Sequence, residues 1–175
     1  EHGWAYAYRT FRDGRRHVVE VYVPGDVIGL AEAWSGTPAP GVATLTDVGA
    51  VPLARADLTA QVRRSPDAAA GLMSALADTA GTLSLRTTSL ARQTAYERVA
   101  YLIWSLWART KSLYGRDGRT FQCPVPQAIM ADALGLSAVH INRSLGQLAR
   151  DGVLHKHTQE VEILDAKALE GIVYA

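Results

Sequence analysis

The chain has 175 residues, enough for one ordinary domain or two small ones, and its 48% hydrophobic and 20% charged content indicates a globular protein. Its 18 basic and 17 acidic side chains leave a net charge of +1, so the overall charge does not indicate a nucleic-acid or membrane partner. The single cysteine, Cys123, excludes a disulfide framework within the chain and a metal cluster built from several thiolates.

The sequence has no segment typical of membrane insertion or export. No apolar run approaches the roughly 18 to 20 residues that cross a bilayer, and the first residues lack the charged and apolar regions of a signal peptide. We therefore expect a cytoplasmic protein without a membrane partner. The chain begins without Met and enters a strand pattern almost at once, so we expect a fragment whose N-terminus lies elsewhere.

The first 54 residues have the alternating pattern of β-strands. Aromatic residues alternate with smaller ones in residues 3–11, Asp13-Gly14 favours a turn, and residues 17–23 resume an aromatic and β-branched run, which together indicate a hairpin. After a second turn at Pro24-Gly25-Asp26, short strands are predicted at residues 27–28, 42–46 and 51–53, with a loop at 35–41. The pattern indicates a piece of an antiparallel β-sandwich or roll.

The pattern becomes helical after Ala54. Residues 57–64 predict a short helix, and Ser65 as N-cap with Pro66 in the first turn predicts the start of a longer one. Small and apolar side chains along it recur at alternating spacings of four and three, and we call them the seam: Ala69, Met73, Leu76, Ala80, Leu83, Thr87 and Leu90. This spacing fits packing against a partner helix or against the protein's own β-domain, and both stay open.

A second amphipathic helix is predicted over residues 93–113, ended by the glycines of residues 115–118. Its apolar face consists of Ala95, Val99, Leu102, Ile103, Leu106 and Trp107.

Residues 125–148 predict two short helices joined by a turn. Pro126 can open the first helix, Gly135 ends it, and Ser137 caps the second. The inner faces are expected to be Ile129, Met130, Ala133 and Leu134 in the first helix and Ile141, Leu145 and Leu148 in the second. Ala131 is small where the two helices would cross. The arrangement is typical of a helix-turn-helix, whose second helix can lie in a DNA major groove.

The second helix carries residue types that read bases. Arg143 can hydrogen-bond guanine bidentately, Asn142 can pair with adenine, and Val139 can touch a thymine methyl group. The unpaired backbone N–H groups of its first turn can face phosphates. Two short helices in any bundle share this pattern, so the motif alone does not establish DNA binding.

A β-hairpin is predicted after the second helix. Residues 153–156 and 161–164 indicate its strands, and His157-Thr158-Gln159 forms the tip. Such a hairpin is the wing of a winged helix, and Lys156, His157 and Thr158 could reach backbone phosphates. His155 and His157 alone lack the ligand number of a metal site, so no metal is predicted.

In chain order these features resemble the Crp/Fnr superfamily of bacterial transcription regulators. The matching segments are residues 8–16 (YRTFRDGRR), 24–29 (PGDVIG), 97–100 (ERVA), 131–137 (ADALGLS) and 139–143 (VHINR). The resemblance covers essentially the whole chain. It implies an α+β protein with a β-roll sensor domain of the cyclic-nucleotide-binding type (a double-stranded β-helix), a long helix that forms a homodimer, and a winged helix-turn-helix that reads a near-palindromic operator.

The resemblance also implies domain bounds and site residues. It places a partial β-roll at residues 1–64, a dimerisation helix at 65–91 and the winged helix-turn-helix at 92–175, with the recognition helix at 137–149; the family's first strands would precede residue 1. The expected DNA contacts are Gln127, Ser137, Ala138, Val139, His140, Asn142, Arg143, Lys156, His157 and Thr158. The expected dimer contacts are Met73, Leu76, Ala80, Leu83, Thr87 and Leu90.

Two departures from the family bear on base reading. Arg143 matches a base-reading arginine, whereas Val139 stands where many members carry a glutamate that reads cytosine, so a different half-site is expected. Ser144 replaces an apolar residue, so the packing there is expected to differ slightly.

The sensor half lacks the family's known cofactor patterns. Leu30 follows Gly29 where cyclic-nucleotide binders carry glutamate, and the loop 35–41 has no arginine for the phosphate. Residues 1–54 contain no cysteine for an iron–sulfur cluster. No cofactor is predicted. The implied partners are double-stranded DNA, a second copy of the chain and RNA polymerase, with a small-molecule effector left open.

A second hypothesis is a β-roll enzyme or small-molecule-binding protein with a helical accessory domain. It depends on an aromatic cluster that could line a pocket beside His2 and His17: Trp4, Tyr6, Tyr8 and Tyr22. The sequence adds no nucleophile–base pair and no phosphate-binding glycine loop to it.

Overall fold

The computed structural model describes residues 2–113 and 118–174. Its elements in chain order are β1 (Ala5–Thr10), β2 (Arg16–Tyr22), α1 (Glu32–Ser35), β3 (Gly41–Thr44), α2 (Arg55–Arg64), α3 (Pro66–Arg92), α4 (Ala95–Thr110), a 3-10 turn (Lys111–Leu113), β4 (Thr120–Gln122), α5 (Gln127–Leu134), α6 (Ala138–Arg150), β5 (Leu154–Lys156), β6 (Glu160–Ile163) and α7 (Ala166–Val173). Residues 115–117, where the sequence predicts the end of the second amphipathic helix, lie outside the described residues.

The N-terminal part is a three-stranded antiparallel sheet in the order β2-β1-β3. The predicted hairpin is confirmed: Thr10 pairs with Arg16, and Gly14 takes a φ of +82° in the turn, a conformation that glycine adopts without a steric penalty. One sheet face contributes Trp4, Tyr6, Val18, Val21 and Val23 to the core.

Two of the predicted short strands do not form. The backbone after the confirmed Pro24-Gly25-Asp26 turn bends at residues 27–30, and residues 51–53 are irregular and exposed. Apolar and β-branched composition predicted strands there, but a strand also needs a neighbouring edge for its backbone hydrogen bonds, and these segments have none in the described sheet. The single-turn helix α1, ended by Gly36 at a φ of +66°, falls at the edge of the predicted loop.

The long helix α3 forms as predicted, because Ser65 accepts a hydrogen bond from the Ala68 amide at 3.2 Å and Pro66 occupies the first turn. The middle of the seam is exposed: Met73 is 71%, Leu76 43% and Leu83 47% accessible. The alternative that this face packs against the protein's own β-domain is therefore wrong.

The chain turns between α3 and α4 at a capping box. Thr94 accepts from the Glu97 amide, and the Glu97 carboxylate accepts from the Thr94 amide at 2.7 Å. The buried face of α4 matches the prediction at Val99, Leu102, Ile103 and Leu106.

The C-terminal part packs α4–α7 on a second antiparallel sheet of order β4-β6-β5. Strand β4 was not predicted, because three residues with one buried side chain, Phe121, are too few to show an alternating pattern. The buried residues of both sheets and of α4–α7 form one continuous cluster. No helix within the described ranges is both long enough and apolar enough to cross a membrane.

Candidate DNA-binding surface

Helices α5 and α6 form the predicted helix-turn-helix. Gly135 ends α5 in the left-handed conformation, with a φ of +63°, and the Leu136 amide donates to the Ala131 carbonyl at 3.1 Å. The turn is compact because only glycine takes that conformation without strain. Sequence reasoning located both helices to within one residue.

The inner faces of both helices are buried. Ile129, Met130, Ala131, Ala133 and Leu134 in α5 pack with Ile141, Leu145 and Leu148 in α6. Ser144 is also buried, so its hydroxyl occupies a position on the inner face, next to Leu145. This packing fixes which side of α6 can meet a ligand.

The opposite face of α6 is open to solvent. Val139 is 66% accessible, and His140, Asn142 and Arg143 are exposed with it. Positions 139, 142 and 143 share one face because residues three and four apart on a helix are neighbours. The structure thus brings the predicted base-reading residues together on a surface that the protein leaves uncovered. Gln127, at the start of α5, is exposed as well.

The first turn of α6 is fixed by Ser137. Its hydroxyl accepts from the His140 amide at 3.3 Å and lies 3.0 Å from the His140 Nδ1 atom. One of the unpaired N–H groups is thereby satisfied, and the remaining ones of Ala138 and Val139 are available to a phosphate.

We expect Ser137→Ala to lower the free energy of unfolding by about 1 kcal/mol, because an N-cap hydroxyl is lost. Urea denaturation followed by circular dichroism measures it. Ser137→Asp should restore the stability, since a carboxylate caps well and complements the helix dipole, while weakening DNA binding by repelling phosphate. Equal stability of the wild type and Ser137→Ala would contradict the capping role.

Two exposed residues further along α6 were missed by the sequence reasoning. Gln147 donates to Asp151 at 2.7 Å and accepts from Arg150 at 2.8 Å. Positions 147 and 150 follow Arg143 by four and seven, so helical spacing is the signal that could have found them.

The wing forms from β5 and β6 as predicted, with the His157 amide donating to the Glu160 carbonyl at 2.8 Å across the tip. The side chains of His157 and Thr158 are exposed. The tip borders an open groove beside the start of α5, lined by Pro124–Gln127 on one side and residues 156–159 on the other. Wing and helix-turn-helix therefore lie next to each other.

Lys156 does not extend into solvent. Its ammonium group donates to the carbonyl oxygens of Cys123 at 3.0 Å, His157 at 2.9 Å and Thr158 at 3.1 Å. Partial burial lowers the pKa of Lys156. The three N–H groups thus hold the wing tip against the segment before α5, and a direct phosphate contact stays a prediction that requires giving up these bonds.

The histidine pair of the wing and the aromatic cluster of the sheet domain lie in different parts of the structure. His155 and His157 stack with ring centroids 6.4 Å apart, and the described residues contain no group of three or more metal-ligating side chains. Of the aromatic cluster, Trp4 and Tyr6 are core residues, whereas Tyr22 and His2 border a cavity of about 350 Å³ lined mainly by apolar side chains.

Tyr6 and Tyr8 of the central strand β1 lie beside an arginine that connects the sheet to α5. The Arg16 guanidinium lies 5.4 Å from the Tyr6 ring centroid and 5.9 Å from that of Tyr8, and it pairs with Asp132 of α5 at 2.7 Å. The sheet domain and the helix-turn-helix are thus in direct contact.

Comparison with known proteins agrees with this geometry. A profile of the Crp-like helix-turn-helix domain matches residues 97–172. The transcriptional activator protein FnrL of Cereibacter sphaeroides is 29% identical over 155 residues, which are 87% of this chain and 62% of FnrL. The chain therefore spans about three fifths of that relative.

Solved structures share the fold. FixK2 from Bradyrhizobium japonicum aligns with a TM-score of 0.70 at 20% identity, over 98% of this chain and 83% of FixK2. A transcriptional regulator of the CRP/FNR family from Thermus thermophilus aligns with a TM-score of 0.66 at 18% identity, over 99% of this chain and 85% of that protein. Together with the FnrL relative they agree with the resemblance drawn from the sequence: residues 97–172 match a Crp-like helix-turn-helix domain, and the chain as a whole has the fold of Crp/Fnr regulators.

Proposed function

We propose that the protein is a sequence-specific transcription regulator that binds a near-palindromic operator as a homodimer, with α6 in the major groove. The observation that carries the proposal is the α6 face of Val139, Asn142 and Arg143, which is exposed to solvent while the opposite face is buried in the core. The Crp/Fnr superfamily consists of regulators rather than enzymes, so the enzyme hypothesis is set aside.

Each part of the surface has a distinct role in this proposal. Arg143 and Asn142 read base edges, and Val139 contacts a thymine methyl group or the apolar edge of a base. Ser137, Ala138 and His140 at the start of α6, Gln127 at the start of α5, and the wing residues His157 and Thr158 contact backbone phosphates, while Lys156 holds the wing tip.

The charge of the chain limits how affinity arises. With a net charge of +1, two copies bring few cations to the DNA, so binding depends on placed contacts and helix N-termini. We therefore expect a shallower dependence of affinity on salt than a strongly basic binder shows.

Selection of binding sites from random duplex DNA tests the proposal. The wild type should enrich one sequence with two inverted half-sites whose centres lie one helical turn apart, roughly 34–36 Å. A matched selection with Asn142→Ala/Arg143→Ala should enrich a degenerate site. Enrichment of no sequence by the full chain, at a salt concentration where it binds DNA, would overturn sequence-specific binding.

The remaining partners follow from the same proposal. A cytoplasmic regulator of this type contacts RNA polymerase, and the sheet domain takes an effector other than a cyclic nucleotide, because Leu30 and the loop 35–41 offer no counterpart to the ribose and phosphate. Added cyclic AMP should accordingly leave operator affinity unchanged.

A further inference from the structure

The C-terminal end of α5 is held by side chains from three other elements. The last carbonyl groups of a helix lack partners within it, and here those of residues 132–134 each receive a side-chain nitrogen. The contacts are His17 Nδ1 at 3.1 Å from the residue 132 oxygen, Arg86 at 3.3 Å from that of residue 133 and Arg98 at 3.3 Å from that of residue 134. His17 belongs to the sheet and Arg86 to α3, so two of the three come from outside the winged-helix elements.

Arg86 links more elements than either of the others. Its guanidinium donates to the carbonyl oxygens of Val18 at 2.6 Å and of Val19 in strand β2, and to that of Ala133 in α5. The Glu20 carboxylate lies 3.8 Å away, and the Arg86 side chain is only 13% accessible. One planar group therefore joins the sheet, the long helix and the first helix of the helix-turn-helix.

The chemistry of this contact favours one geometry. A guanidinium presents its N–H donors in a rigid planar fork, so β2 and α5 must keep fixed positions relative to α3 for all three carbonyls to be reached. Burial lowers the pKa of Arg86, yet a guanidinium stays protonated, so the donors persist across physiological pH. Losing one carbonyl would leave a buried cation partly unpaired, which is costly.

We propose that Arg86 is the positioning residue that fixes the orientation of the helix-turn-helix relative to α3 and the sheet domain. The proposal rests on the function proposed above and goes beyond it, since it states what sets the angle at which α6 is presented. We call the contacts of Arg86 with β2 and α5 the joint. In a dimer built on α3, the joint also sets the distance between the two recognition helices.

An ion pair also crosses the same interface, and its effect must be separated from that of Arg86. Arg16 pairs with the Asp132 side chain at 2.7 Å, but both side chains are about one-third accessible. Because water still reaches this partly exposed ion pair and screens it, we expect Arg16→Met to leave the orientation unchanged.

A distance measurement tests the joint without DNA. Spin labels on Thr44→Cys in β3 and Lys167→Cys in α7, both exposed positions, report the separation of the two parts when labelled chains are diluted into an excess of unlabelled chain. The doubly labelled chain that retains Arg86 should give one narrow distribution of distances between the labels. Arg86→Met should broaden it, and Arg86→Lys should restore it in part. Arg92→Met, an exposed arginine of the same helix, is the matched control and should stay narrow.

Operator binding supplies the second readout. The measurement compares the affinity for the selected operator with the affinity for the same operator whose half-sites are one base pair further apart. Arg86→Met should reduce the ratio of these two affinities at least threefold, a change that a purely structural residue would not cause. A narrow distribution and intact spacing discrimination in folded Arg86→Met would overturn the joint, as would broadening confined to Arg16→Met. If the selection yields no operator, the proposed function fails while the distance measurement still decides the role of Arg86.

Discussion

Replacing Arg143 by alanine should lower operator affinity by about 1–3 kcal/mol per half-site, roughly 5- to 150-fold each. The physical reason is the loss of a bidentate guanidinium contact to a base edge from the exposed face of α6. Discrimination at one base pair in each half-site should be lost with it. Fluorescence anisotropy on the selected operator and on its single-base variants measures both effects.

The matched control is Arg150→Ala, which removes the same type of side chain from the last residue of α6. Arg150 donates to Gln147 and lies seven residues from Arg143, about 10 Å along the helix. Its loss should alter affinity for all sequences alike. If Arg143→Ala kept full base discrimination, or if Arg150→Ala relaxed it at the same position, the base-reading role of Arg143 would be wrong.

The helix-turn-helix was predictable because its signals are local. Ser137 as N-cap, Gly135 in the left-handed conformation and the spacing of Ile141, Leu145 and Leu148 each act within a few residues of the chain. The burial pattern then follows, since the apolar face must turn inward and leaves Arg143 outside. The residue types and the helical spacing of the apolar side chains were therefore sufficient to predict this part of the site.

The interface between the sheet and α5 could not be predicted in this way. Arg86 reaches Val18 across 68 positions and Ala133 across 47, and no local pattern distinguishes it from the exposed Arg92 of the same helix. Lys156 shows the same limit, because alternation in β5 gives no sign that its ammonium group turns back to the Cys123 carbonyl. Contacts that depend on how distant segments meet need the fold.

The seam of α3 lies between these cases. Its spacing predicted a packing face, but the sequence left open whether a partner helix or the protein's own β-domain covers it. The structure shows that Met73, Leu76 and Leu83 are exposed. Three large apolar side chains on one helix face lose the benefit of burial when left in water. A second α3 with the same spacing would cover them in a symmetric packing.

Leu83→Asp should therefore convert the protein to a monomer at micromolar concentration, because a carboxylate would be placed in the apolar contact between two copies of α3. Sedimentation velocity measures the change. Operator affinity should fall by about 10²–10⁴-fold, since the second half-site is no longer tethered to the first, whereas the affinity for a single half-site should stay the same.

Leu85→Asp provides the matched control, because Leu85 is exposed to a similar degree, 41%, but lies off the seam. Two positions along a helix rotate the side chain by roughly 200°, so Leu85 points away from a partner that packs on Leu83. We expect Leu85→Asp to remain dimeric with unchanged operator affinity. Dissociation by both variants, or by neither, would show that the dimer does not form along this face, and the half-site spacing would then have to be set elsewhere.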